Sequence, residues 1–168
     1  MVRRESEAGA SLPEVLLVMV LLAVVLTGAL GAHWHARGLQ QGAWQRQQVI
    51  LLLEDLGERM RLNPPGHDTY LDALRAPMPS EPAAHACVLE ACAPAARAQA
   101  DIGQFAAQLR RVSQHTAWAV EPCADVQADC LLVAWAGTQP VRGMGADACL
   151  DGQGRARAGA ACVALALP

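Results

Sequence analysis

The sequence predicts an α+β protein: a long N-terminal helix, transmembrane over its first half, packed on a small disulfide-bonded head with a short helix and an antiparallel β-sheet. Three observations predict it. Residues 15–32, "VLLVMVLLAVVLTGALGA", form an uncharged apolar run long enough to cross a bilayer as a helix. The helical pattern then continues to Asn63-Pro64-Pro65-Gly66 without a strong breaker. All six cysteines follow the apolar run, among short strand-like segments separated by Gly, Asp and Pro.

Residues 1–9, "MVRRESEAG", are a polar leader, and residues 10–32 are apolar except for Ser11, Glu14 and Thr27. A glutamate at the mouth of such a segment needs a reason, because a carboxylate is unwelcome in hydrocarbon. One reason is local. Ser11-Leu12-Pro13-Glu14 has the S-x-x-E order of a capping box, with Pro13 tolerated in a first helical turn. Residues 33–63 continue as an amphipathic helix, with Leu39, Ala43, Ile50, Leu53, Leu56 and Met60 recurring at three- and four-residue steps. Gly28, Gly31, Gly38, Gly42 and Gly57 weaken the helical pattern of residues 10–63, each by about 1 kcal/mol relative to alanine.

Residues 64–168 make the head. Residues 64–93, rich in Pro and Ala, read as a loop holding Cys87 and Cys92. "DIGQFAAQLRRV" places Ile102, Phe105, Ala106, Leu109 and Val112 on one helical face, with Asp101 as N-cap. "TAWAVEP", "CLLVAWAG" and "ACVALAL" read as strands, and "DGQGRARAG" as a hairpin tip clamped by Cys149 and Cys162. Trp118 and Trp135 alternate with small apolar residues and read as core or half-buried sheet residues, while Trp34, just past the apolar run, suits a bilayer interface.

Composition narrows the function classes. A formal net charge of −3 gives no sign of a nucleic-acid-binding surface, and all thirteen cationic side chains are arginine. Cys87, Cys92, Cys123, Cys130, Cys149 and Cys162 form three neighbouring pairs in sequence, so an exported, oxidised head with local pairing is expected. Cys87-x4-Cys92 and Cys123-x6-Cys130 lack the tighter spacing of zinc sites, and no metal or cofactor is expected. Asp147, Asp151 and Gln153 lack the calcium-loop order and read as a solvated turn. His33 and His35, two residues apart on a helix, face different directions. None of the four serines lies in G-x-S-x-G, and neither H-E-x-x-H nor a phosphate-binding glycine loop is present. No enzyme is expected, and no catalytic residue is assigned.

The order leader, Gly9, small residue, Ser11, Leu12, one residue, Glu14, apolar helix resembles the type IV prepilin signal. Ordinary signal peptides keep their cleavage site after the apolar core rather than before it. The resemblance implies cleavage between Gly9 and Ala10 by a prepilin peptidase, N-methylation of Ala10, and a pilin-like fold. It also implies that Glu14 meets the charged N-terminus of a neighbouring subunit, two charges tolerable in an apolar bundle only as a pair. The chain departs from the family at Ala10, where phenylalanine is usual, and carries Arg37 just beyond the span.

"QRQQVILLLEDLGERMRLNPPG", with Tyr70 soon after, resembles the helix end of PilV-type minor pilins at Asp55, Leu56, Arg59, Met60, Arg61, Asn63 and Pro64. The cysteine-bearing stretch 87–112 is similar as well. What this implies is a minor pilin that helps initiate, assemble or tip a type IV pilus. Its implied partners are prepilin peptidase, other minor pilins, the major pilin, the inner membrane before assembly, and a tip adhesin. The head would be periplasmic, then extracellular in the pilus. Arg59 and Arg61 also suit a helix C-terminus simply as cations facing the dipole. Two alternatives stay open: a minor pseudopilin of a type II secretion system, and a secreted disulfide-rich binding module whose conventional signal peptide is cut near "TGALGAHWHA".

Overall fold

The computed structural model describes residues 12–79, 87, 92–124 and 126–168. Gly9, Ala10 and Ser11, and with them the leader, the expected cleavage position and the capping box, lie outside the described residues. The chain forms two compact units, Met1–Gln41 and Gly42–Pro168. Helix α1 (Leu12–Leu62) supplies the described part of the first and opens the second.

In the first unit every described side chain of α1 is exposed, Leu16, Leu21, Val24 and Val25 among them. A helix apolar on all faces needs apolar surroundings, lipid or other helices. By length and composition this helix can cross a membrane. Thr27 does not disturb it, because its hydroxyl donates to the carbonyls of Ala23 and Val24, both at 2.9 Å.

In the second unit Val49, Leu53, Leu56 and Met60 are buried at steps of four, three and four. The face is rotated from the expected one: Ala43 and Ile50 are exposed, and Val49 takes the core position. Asn63 and the 3₁₀ turn Pro64–Gly66 end α1. The expected loop is in part helical. Helix α2 (His67–Arg75) follows at once, burying Tyr70 and Leu74. Helix α3 (Pro94–Val112) starts seven residues before the expected N-cap, with Pro94 in its first turn, so Asp101 is mid-helix. Its buried stripe is Ala98, Ile102, Phe105, Ala106 and Leu109.

Strands β1 (Ala117–Pro122), β2 (Asp129–Ala134) and β5 (Cys162–Ala166) form an antiparallel sheet in the order β1-β2-β5. Central β2 is buried on both faces. Leu131 and Val133, with Trp135 just beyond, enter the helix-packed core, whereas Leu132 and Ala134 meet Cys149, Leu150 and Cys162 in a second cluster. Phe105 of α3 stacks on Trp118 of β1 at 5.7 Å between ring centroids, and Trp118 Nε1 donates to the Ala76 carbonyl. Strands β3 (Gln139–Arg142) and β4 (Ala148–Leu150) pair in parallel as a separate ribbon. Of the expected hairpin only the tip forms: Leu150 and Ala156 make an antiparallel bridge, with the Asp151 N–H donating to the Arg155 carbonyl and the Arg157 N–H to the Cys149 carbonyl, while Cys149 and Cys162 belong to strands of different sheets. The expected clamp is present as a disulfide between them, and Arg46 of α1 donates to the Cys162 carbonyl at 2.8 Å.

Candidate functional site

The end of α1 carries a polar cluster that joins three helices of the second unit. Helical spacing puts Asp55 and Arg59 on one face, and Arg59 Nε donates to Asp55 Oδ2 at 2.9 Å. The same guanidinium reaches α3, where Nη1 donates to Asp101 Oδ1 at 2.8 Å and Gln104 Oε1 at 3.1 Å. Asp101 Oδ2 accepts the Tyr70 hydroxyl at 2.5 Å. Three helices therefore meet on one carboxylate. Asn63, almost fully buried, donates to the Pro94 carbonyl at 2.9 Å and holds the end of α1 against the start of α3. A pocket of about 280 Å³ opens here, lined by Arg59, Leu62, Asn63, Arg97 and Asp101 among others.

Electrostatics favour permanence over chemistry. Burial, joined by the hydrogen bond and charge of Asp101, pushes the Tyr70 phenol up to about 12, against smaller opposing effects of Asn63 and Arg59. Burial by itself lowers Arg59, but the hydrogen bonds and charges of Asp101 and Asp55 outweigh it and leave that pKa raised. A phenol that stays protonated and a guanidinium that stays charged are poor proton-transfer groups near neutral pH. The cluster fastens helices together. Among the described residues no group of three or more His, Cys, Asp or Glu could hold a metal ion.

The sequence-derived site residues separate in space. Glu14 is exposed in the first turn of α1, within the first unit. Asp55, Arg59 and Asn63 belong to the helix-end cluster. Met60 instead points into the core and is buried, while Arg61 faces solvent and pairs with Glu58 at 2.5 Å. The cysteines form Cys87–Cys92, Cys123–Cys130 and Cys149–Cys162. Sequence reasoning missed Asp101, assigned to a cap, and Gln104. For Tyr70 the usable signal is that a sole tyrosine sits one turn after the Pro-Pro-Gly stop.

Residues 37–103 match the model of a family described as Tt1218-like, Type IV pilin Tt1218. No curated protein and no solved structure matches the chain. The matched stretch contains Asp55, Arg59, Asn63, Tyr70 and Asp101, so these cluster residues lie inside the similarity. With the long N-terminal helix and the small disulfide-bonded head, that match supports a type IV pilin.

Proposed function

We propose that this chain is a PilV-type minor pilin, cut between Gly9 and Ala10 by a prepilin peptidase, that takes part in the initiation, assembly or tip of a type IV pilus. The observation that carries the reading is the type IV pilin match over residues 37–103. It is supported by an N-terminal helix with apolar side chains exposed on every face and one carboxylate, Glu14, in its first turn. Such a helix buries its surface first in lipid and then against other subunits, and Glu14 pairs there with a neighbour's N-terminal ammonium. The role is structural: the head is a folded domain on an assembly helix, with partners among pilin subunits.

The test is the N-terminus of the processed protein from cells that contain a prepilin peptidase. A start at Ala10, methylated or not, is the expected result. A start near Ala32 would leave a secreted disulfide-bonded module, and an uncut Met1 a plain membrane anchor; either overturns the proposal. Glu14→Ala is expected to leave the protein cut and membrane-bound while its recovery in sheared pili falls several-fold. Normal recovery would remove the charge-pair argument.

A further inference from the structure

Residues 15–32 as a helix are about 27 Å long, close to the roughly 30 Å of a bilayer's hydrocarbon. From the last turn of this run onward the first unit changes in one respect. Its described side chains at 28, 29, 31, 32, 36 and 38 are glycine or alanine, whereas Leu30, His33, Trp34 and Arg37 together line a concavity of about 200 Å³. Their spacing of three, four and seven puts all four on one face. All are exposed, Trp34 by 71%.

Along that face the chemistry changes in order: an aliphatic side chain, then an imidazole and an indole, then a guanidinium about 5 Å further on. The interfacial layer of one leaflet changes in the same order over about 5–8 Å. Among the described residues Arg37 has no local counter-ion. Glu14 is the only other formally charged residue between Leu12 and Gln45, and Arg37 forms no ion pair among the described residues. A cation so placed at the edge of an apolar span takes its negative partner from its surroundings.

We propose that Leu30, His33, Trp34 and Arg37 form a one-sided seat for the phosphodiester headgroup of a membrane phospholipid. Leu30 lies against the upper acyl chain and Trp34 spans the ester layer. Arg37 donates to the phosphate from above, with His33 beside it as a second donor when its ring N–H faces the headgroup. The seat pins the rotation and depth of α1 in the bilayer before any assembly. It rests on reading the apolar part of α1 as the membrane span, and not on peptidase cleavage or pilus incorporation.

The full, uncut chain is reconstituted in vesicles of phosphatidylcholine and phosphatidylglycerol brominated either near the headgroup end or near the tail end of the acyl chains. The Trp34 signal is the fluorescence difference between the wild type and Trp34→Phe, with Trp44→Phe as control. We expect stronger quenching of Trp34 by the shallow bromines, loss of that preference in Arg37→Gln, and its retention in Arg37→Lys. Equal quenching at both depths overturns the proposal, as does an Arg37→Gln profile identical to wild type. Protection of Trp34 that grows with the protein-to-lipid ratio would assign the face to a second copy of the helix and overturn it too. The same samples span a membrane whether or not the protein enters pili, so failure here is distinguishable from failure of the pilin reading.

Discussion

Arg59 and Asp101, 42 positions apart, meet at 2.8 Å and join the end of α1 to the middle of α3. Arg59 keeps about a third of its side chain exposed, whereas Asp101 keeps 13%. The energetic consequence is asymmetric: losing the arginine strands a largely buried carboxylate, still held by Tyr70. Arg59→Met is expected to destabilise the head by about 2 kcal/mol. Arg61→Met, which removes only an exposed pair with Glu58, should change stability by less than about 0.5 kcal/mol. Urea unfolding followed by tryptophan fluorescence checks both, and equal effects would contradict the asymmetry.

Tyr70 is the sole tyrosine, so tyrosinate absorbance reports this residue alone. The expected midpoint is about 12, against about 10 for an exposed phenol. A pKa raised in the folded state favours the protonated form. The contribution to stability is therefore complete below pH 10 and lost as pH rises through about 12. Asp101→Asn should return the midpoint only part of the way toward 10, because it removes the charge and one carboxylate oxygen that oppose ionisation while burial, the largest cause, stays.

Gly66 and Gly57 make opposite predictions. A Cβ at Gly66 would lie 2.5 Å from Asn63 Nδ2 and 2.8 Å from the Pro94 carbonyl, within the contact that holds α1 to α3. Gly66→Ala is expected to cost about 2 kcal/mol. At Gly57 a Cβ meets nothing within 4 Å, so Gly57→Ala should stabilise the helix by up to about 1 kcal/mol. Thermal unfolding of the two variants should move in opposite directions.

The disulfides should differ in weight. Cys149–Cys162 spans 13 positions and both residues are buried, so replacing the pair by serines should cost about 3 kcal/mol from the chain entropy alone. Cys87–Cys92 spans five positions, for which the same reasoning gives about 2 kcal/mol. Denaturant midpoints of the two double variants test the order.

The sequence by itself determined what depends on neighbours in the chain. The uncharged run 15–32 dictates a helix with no core of its own to enter. The Asn63-Pro64-Pro65-Gly66 stop ends α1 where the structure ends it, because proline lacks the N–H that a continuing helix requires. The apolar face of α3 and three of the five strands among the described residues were legible from periodicity. Only the tertiary structure decided relations between distant residues. Asp101 has the composition of an N-cap, but Pro94 opens α3 earlier and turns that carboxylate toward Arg59 and Tyr70. Ile50 and Val49 are equally apolar, and only the packing of α1 on the head selects Val49 for the core. The "DGQGRARAG" segment has hairpin composition and turns back at Leu150 and Ala156, yet β5 pairs with β2, leaving β4 to a separate ribbon. Local sequence sets what each segment prefers, and the burial each can reach against the others decides which preference is realised.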